Sequence, residues 1–381
     1  MKIYNLADLH LGRKKFRKAS QFINDIERLG YEQFKKAINV IKDSWDDDSV
    51  LIIEGDIFHS STPNSRVIIK ALEIFDYIDS LSIKTRIIAG NHEYNELSKQ
   101  INQHVFDAFQ NRYKNIKFIS KGYEIEEFDD TVICYIPHYQ LYKNSESGKI
   151  DKSDFNEFLV QITDEISKYK DKKKVLASHG VVKMWVDRFM KEEDSLALEL
   201  LELGTTVFPD WFPMKTFDYT VLGHIHNGFV QKLSNESNEN RVLISPGTLM
   251  EDNEGSFKID NDSSEYGPVV IDTETGDITT INIPTIQNIR ITINNKEELE
   301  EFLKNIEYNI YFVKYLGDWK DIESDLYKEA INKALHFSMK VEDISTQNRA
   351  LKGSIKEFWA WAKDNVSEEQ YLEMQNMVKE E

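Results

Sequence analysis

The chain has 381 residues, 40% hydrophobic and 12% aromatic, enough for two domains or one large domain with an appendage. Its one cysteine, Cys134, rules out an internal disulfide and suits a reducing compartment, so a cytoplasmic location is expected. A net charge of −19 excludes a uniformly basic nucleic-acid surface, so any contact with DNA must rest on local basic patches, bound metals or a partner. No apolar run reaches the length of a membrane span, and residues 1–8 carry no long apolar signal core.

In chain order, residues 2–6 read as a first strand, ending at Asp8-Leu9-His10. Five of the six residues 13–18 are basic: Arg13, Lys14, Lys15, Arg17 and Lys18. Phe22, Ile26, Leu29, Phe34, Ile38, Ile41 and Trp45 recur at helical spacing. Residues 50–53 form a fully buried strand, followed by Glu54-Gly55-Asp56-Ile57-Phe58-His59. Pro63 begins a second helix, and Ile87-Ile88-Ala89 is a strand running into Gly90-Asn91-His92-Glu93. A helix is expected over residues 97–109, strands over 116–119 and 131–136, a surface loop over 140–154 and a helix over 155–169. Residues 174–178 are a strand ending at His179, and 217–222 one ending at Gly223-His224-Ile225-His226. Residues 229–233 pair with 241–245 as a hairpin, and 269–273 with 277–283 as another.

Pro284 marks a boundary. Beyond it the pattern is strand 289–293, helix 297–306, strand 309–315, helix 321–337 and strand 338–341, a small β-α-β-α-β layer. Residues 351–363 and 367–379 read as two short amphipathic helices, the first carrying Trp359 and Trp361. Alternating strands and helices in the first part argue an α/β layered domain with ligands at the strand C-termini.

An apolar run ends repeatedly in Asp, Asn or His, which gives seven candidate metal ligands: Asp8, His10, Asp56, Asn91, His179, His224 and His226. Asp8 and His10 are two apart, as are His224 and His226. In extended backbone such pairs face the same side and can converge on one point. Parallel strands in one sheet would bring Asp56, Asn91 and His179 to the same edge. Taken singly, each residue has a plainer role as a turn former or helix cap. Seven together exceed the need of one tetrahedral ion and suit two ions bridged by a carboxylate, with Asp56 the natural bridge. Two divalent ions bring +4 against −2 from Asp8 and Asp56, which leaves about +2 to attract phosphate.

Asp8-x-His10, Gly55-Asp56, Gly90-Asn91-His92-Glu93, His179 and Gly223-His224-x-His226 resemble the ordered motifs of the calcineurin-like metallophosphoesterases. Within that superfamily, residues 8–12, 55–59 and 218–226 resemble the SbcD-type double-strand-break repair nucleases, and the compact size resembles the phage recombination nucleases. The resemblance covers residues 1–284 well; beyond them only the coarse pattern matches. It implies two central sheets flanked by helices (residues 1–284), a small α/β cap domain (285–345) and a C-terminal helical segment that grips a partner (346–381). It implies two divalent ions, manganese being the family's preference. Asp8, His10, Asp56 and His226 would hold the first, and Asp56, Asn91, His179 and His224 the second. His92 would be the catalytic proton donor and His59 would contact the scissile phosphate.

The implied activity is exonuclease on duplex ends and endonuclease on single strands. The implied partners are DNA, an SMC-like coiled-coil ATPase and, in one arrangement, a second copy of the chain. The basic run Arg13, Lys14, Lys15, Arg17 and Lys18 lies beside two ligands and is read as phosphate-contacting. Glu93, where many relatives have Asp, and residues 180–185 depart from the pattern. Two rivals remain: a metallophosphoesterase acting on small molecules or phosphoproteins, and a scaffold that keeps the fold without catalysis.

Overall fold

The structure is a computed structural model that describes residues 1–13, 23–94, 105–138, 152–191, 206–226, 228–234, 240–249, 267–281, 283, 288–307, 310–317, 320, 322–334 and 336–341. The chain divides into two compact units, Met1–Gln287 and Asn288–Glu381.

In the first unit the described elements run β1 (Lys2–Leu6), α1 (Ile23–Asp43), β2 (Val50–Glu54), α2 (Ser65–Ser80), β3 (Thr85–Ile88), β4 (Ile116–Ile119), β5 (Glu124–Glu127) and β6 (Thr131–Ile136). They continue with α3 (Lys152–Ile166), β7 (Lys173–His179), β8 (Val181–Val182), α4 (Lys183–Lys191), β9 (Val207–Phe208), α5 (Trp211–Thr216) and β10 (Tyr219–Gly223). Four strands complete the unit: β11 (Phe229–Ser234), β12 (Asn240–Ser245), β13 (Val269–Asp272) and β14 (Ile278–Thr280).

Two six-stranded sheets result, ordered β14-β13-β1-β2-β3-β4 and β11-β12-β10-β7-β6-β5. Strands β1 to β4 are mutually parallel, as are β6, β7, β10 and β12; β13 runs antiparallel to both β1 and β14, and β11 and β5 are antiparallel edges of the second sheet. The pairing follows from side-chain alternation. In β2, Leu51 and Ile53 join a cluster with Phe34, Ile38 and Ile41 of α1 and Phe75 and Ile78 of α2. Val50 and Ile52 point the other way, into a layer shared with Val175 and Ala177 of β7 and Val221 of β10. A third cluster covers the outer face of the second sheet with Phe155, Leu159 and Ile162 of α3. Strands buried on both faces read as unbroken apolar runs, and each fully buried aliphatic side chain contributes about 1.5–3 kcal/mol. The sandwich of two helix-flanked sheets agrees with the expected fold class.

Helix α2 starts where Pro63 suggested: the Asn64 side-chain oxygen accepts from the Val67 N–H at 3.1 Å and caps it. Other expectations need correction. Most of the helix expected at 97–109 lies outside the described residues, and its described end, Val105–Ala108, is a 3₁₀ turn. Lys152, assigned above to a loop, opens α3; the rest of that loop up to residue 151 lies outside the described residues. The unusual segment after His179 forms β8, which pairs in parallel with β9, a two-residue ladder too short to leave a periodic signal.

The second unit holds β15 (Asn288–Ile293), α6 (Lys296–Lys304), β16 (Ile310–Tyr315), α7 (Ser324–Lys333) and β17 (His336–Val341). Its three strands are parallel in that order, over a core of Ile293, Leu299, Leu303, Val313 and Ala330. Helix α7 is shorter at both ends than the predicted 321–337, because His336 and Phe337 pair with Ile310 and Tyr311 in the sheet. The predicted helices of 351–363 and 367–379 lie outside the described residues. Among the described residues no helix is long and apolar enough to cross a membrane.

Candidate metal centre

All seven predicted ligands, with His59 and His92, lie at the C-terminal ends of parallel strands. The strands belong to both sheets. Asp8, Asp56 and Asn91 follow β1, β2 and β3 of the first sheet, whereas His179 ends β7 and His224 and His226 follow β10 of the second. The expectation that one sheet gathers Asp56, Asn91 and His179 is therefore corrected: the site is a seam between two sheet edges.

Hydrogen bonds stitch the seam. The Asp8 carboxylate accepts the His224 N–H with both oxygens, each at 3.0 Å. His179 Nδ1 donates to the Glu54 carbonyl at 2.8 Å. Asn91 Oδ1 sits 2.9 Å from His179 Nε2 and 3.0 Å from His224 Nδ1, both rings belonging to the second sheet. Within the first sheet, the loops after β1 and β2 run together, with the N–H groups of Asp8, His10 and Leu11 donating to the carbonyls of Gly55, Asp56 and Ile57.

The backbone reaches these positions through an unusual conformation. Of the six non-glycine residues with positive φ among the described residues, four are predicted ligands: Asp8 (52°), His10 (44°), Asp56 (51°) and His224 (95°). Such residues cost of order 1–3 kcal/mol each and persist only where the surroundings over-determine them. This corrects the extended-backbone argument. Asp8 and His10 do meet, but through left-handed turns. His224 and His226 diverge, each into a different donor group. Gly55 (φ 84°) and Gly223 leave room for the seam: a Cβ at either would overlap, respectively, the His179 ring or the Glu54 carbonyl oxygen.

Two groups of donors emerge: Asp8, His10 and His226, and Asp56, His179 and His224, the nitrogen and oxygen atoms in each lying within 4.8 Å of one another. Asp56 links them. Its Oδ1 accepts the His92 N–H at 2.9 Å, while Oδ2 faces Nε2 of His179, His10 and His92 at 3.5, 3.8 and 3.9 Å. Burial alone would raise the Asp56 pKa; the charge and hydrogen bond of His179, with His10 and His92, outweigh it and hold the carboxyl well below its usual range. Burial works against the His179 charge too, but Asp56 and Asp8 prevail and push it up to about 9. Burial holds His10 and His224 well below the ordinary imidazole value, His224 also through the neighbouring His179. Both therefore present neutral rings.

These residues fit divalent cations. His10 Nδ1 is buried with no hydrogen-bond partner among the described residues, while Nε2 faces His226 Nε2 at 3.1 Å. One of these nitrogens donates to the other, and a cation that takes the proton's place would meet a nitrogen from each ring. The mixed imidazole, amide and carboxylate set suits Mn²⁺, Fe²⁺ or Zn²⁺ without selecting among them.

His92 and His59 lie beside these groups. His92 Nδ1 donates to the His59 carbonyl at 2.9 Å, and the two rings are stacked with centroids 5.6 Å apart. Of the basic run, Arg13 is described: its N–H donates to the His10 carbonyl. Lys14, Lys15, Arg17 and Lys18 lie outside the described residues.

Sequence reasoning missed Glu93 as a supporting residue. Its buried carboxylate accepts three backbone N–H groups, from Gly90 at 2.7 Å, Phe58 at 2.9 Å and Asp56 at 3.1 Å. It thus ties the loop after β3 to the loop after β2. The Gly90 contact reaches back three residues, from Glu93 to the N–H that opens the 3₁₀ turn Asn91–Glu93. Glu54, wholly buried at the end of β2, was also missed; burial pushes its carboxyl well above the usual range.

A family model described as calcineurin-like phosphoesterase matches residues 1–228. Among curated proteins, the DNA double-strand break repair protein Mre11 of Methanocaldococcus jannaschii is 23% identical over 317 residues, covering 81% of this chain and 73% of the relative. The SbcD component of the nuclease SbcCD of Staphylococcus epidermidis is 24% identical over 328 residues, covering 82% and 78%. Among solved structures, GAP50 of Plasmodium aligns over 74% of this chain and 89% of its own, with 13% identity and a TM-score of 0.41, a likeness too loose to add to the assignment. With the family model spanning well over half its length, the chain belongs to the calcineurin-like phosphoesterases, hydrolases that use divalent metals.

Proposed function

We propose that the protein is a two-metal DNA nuclease of the SbcD type, an exonuclease on duplex ends and an endonuclease on single strands, working with an SMC-like coiled-coil ATPase. The observation that carries this reading is the pair of donor groups linked by Asp56, with His92 at their edge. Asp8, His10, Asp56 and His226 would hold one ion; Asp56, Asn91, His179 and His224 would hold the other. When bound, two divalent ions, manganese in this reading, supply electrophilic charge for a phosphodiester and lower the pKa of water towards neutrality.

The protein's own residues do the rest. The His59 carbonyl fixes the His92 ring through Nδ1, so Nε2 is the atom that delivers a proton to a leaving 3′ oxygen. The His59 ring meets the scissile phosphate. Glu93 fixes the loops that carry Asp56 and Asn91. Arg13 and the basic residues after it contact the DNA backbone, and residues 346–381 dock the ATPase, beyond a cap that begins near Pro284. The names of the two curated relatives support a nuclease over a small-molecule phosphatase.

The test is digestion of end-labelled duplex and single-stranded DNA with Mn²⁺, with and without a candidate ATPase, against phosphopeptide and small phosphomonoester controls. Degradation of DNA is expected. Hydrolysis of the controls alone would overturn the nuclease, and hydrolysis of nothing would favour a scaffold.

A further inference from the structure

His59 and His92 hold neither ion in the reading above, yet with His10 they form a third donor group. One ring nitrogen from each lies within 4.8 Å of the others. Ring centroids are 4.8 Å apart for His10 and His92, and 5.6 Å for both His10–His59 and His59–His92. The three imidazoles come from three different loops, after β1, β2 and β3, so the group is a product of the fold.

Its chemistry differs from that of the other two groups, since it contains no carboxylate. Three imidazoles with one open position form a donor set favoured by Zn²⁺ and its late first-row neighbours, whereas Mn²⁺ and Mg²⁺ favour oxygen ligands. Nitrogens around a tetrahedral Zn²⁺ with bonds of about 2.0–2.1 Å stand roughly 3.4 Å apart. Closing the group to that spacing turns the His59 ring out of its stack on His92, where the planes lie 23° apart. His10 is held in the buried wall and the His92 ring by its Nδ1 bond to the His59 carbonyl, so His59, half-buried, is the ring that must turn; the His92 side chain is 34% exposed.

We propose that His10, His59 and His92 form a third cation seat, selective for late transition metals, whose occupation shuts the active site. A cation there takes the proton-delivering ring of His92 and the phosphate-contacting ring of His59, and draws His10 from its own group. This deepens the two-metal reading and rests on it for the inhibitory consequence, while the binding itself can be tested apart from it.

The experiment adds Co²⁺ to the full chain loaded with Mn²⁺ and records the visible spectrum, with Mn²⁺ release followed by electron paramagnetic resonance. Wild type should show the intense bands of low-coordinate, nitrogen-bound cobalt. His59→Asn and His92→Asn should each lower those bands at least tenfold while holding Mn²⁺ as wild type does. Zn²⁺ should inhibit wild-type hydrolysis over the range in which it abolishes the cobalt spectrum. Unchanged bands in both variants, or no such bands in wild type, would overturn the seat. Failure of the two-metal reading would look different: wild type would not bind two Mn²⁺, whatever its cobalt spectrum. Two variants are used so that misfolding of one, seen as a lowered melting temperature, leaves the other to decide.

Discussion

Replacing Glu93 with Gln tests whether the site is held by its loops or only by its ligands. The Glu93 carboxylate bonds to backbone, its Oε2 accepting from Asp56 and Gly90 and its Oε1 from Phe58. An amide has one oxygen. Placed where Oε2 lies, it keeps two bonds and sets its NH₂ against the Phe58 N–H; placed the other way, it loses two. Burial and the Asp56 charge push the Glu93 pKa up to about 8, so the comparison is made at about pH 9, where the carboxylate is ionised; there a stranded buried N–H costs about 1–3 kcal/mol, and each surviving bond drops from charge-assisted to neutral strength, about 1 kcal/mol apiece. The total is about 3–5 kcal/mol at a residue with no solvent exposure. At about 2–4 °C per kcal/mol for a unit of this size, the melting temperature should fall by roughly 10 °C. Mn²⁺ affinity should fall roughly 10–100-fold, as for other residues that orient ligands. Glu93→Asp keeps the charge on a shorter arm and should lie between. Calorimetry and Mn²⁺ titration measure both. A Glu93→Gln protein that melts within about 2 °C of wild type and binds Mn²⁺ equally well would refute the reasoning, since roughly 3 kcal/mol cannot hide in so small a shift.

Four further outcomes are expected. Gly223→Ala drives a methyl into the Glu54 carbonyl that His179 Nδ1 needs, so bound metal per chain, read by mass spectrometry, should fall from two ions towards one. In the metal-free protein His179 keeps its proton up to about pH 9, and an ion needs the bare nitrogen; apparent Mn²⁺ affinity should therefore rise by up to about tenfold per pH unit from 7 towards 9 and level off above. A flat titration over that window would show that His179 is no ligand. His92→Asn should cut hydrolysis by roughly 10²–10⁴-fold with both metals retained, whereas Asp56→Ala should lose metal; a His92→Asn protein without metal would refute its role as proton donor. Neutralising Arg13, Lys14, Lys15, Arg17 and Lys18 should flatten the dependence of DNA affinity on salt, and an unchanged slope would mean those residues do not touch phosphate.

How much of this was legible in the sequence depended on locality. Strands such as β2 and β7 are buried on both faces, so their apolar runs stood out, and the chemistry sat immediately after them. The family's motif order then gave the candidate ligand set. Less legible was anything decided by two distant segments. Spacing alone has His224 and His226 converge; the motif resemblance separates them, as does the backbone, where φ is 95° at His224. The role of Glu93 depends on Phe58 and Asp56, 35 and 37 residues away. The end of α7 was misplaced because pairing of His336 with Ile310 overrode a helical pattern that continues past it.

The construction of the seam has a thermodynamic consequence. Left-handed backbone at Asp8, His10, Asp56 and His224 costs of order 1–3 kcal/mol at each position. Hydrogen bonds of the protein itself fix three of these turns: the Asp8 and His10 N–H groups on Gly55 and Asp56, and the His224 N–H on Asp8. Asp56 is fixed by its own N–H on Glu93 and its Oδ1 on the His92 N–H. The strain is balanced by the loops and by the sheet core beneath them, which hold the candidate ligands in place. Such a site spends little of its metal-binding energy on reorganisation. It follows that stripping the metals should leave the two-sheet sandwich folded with the positive-φ turns intact. Cutting the loop-to-loop bonds, as Glu93→Gln does, should weaken metal binding and folding together.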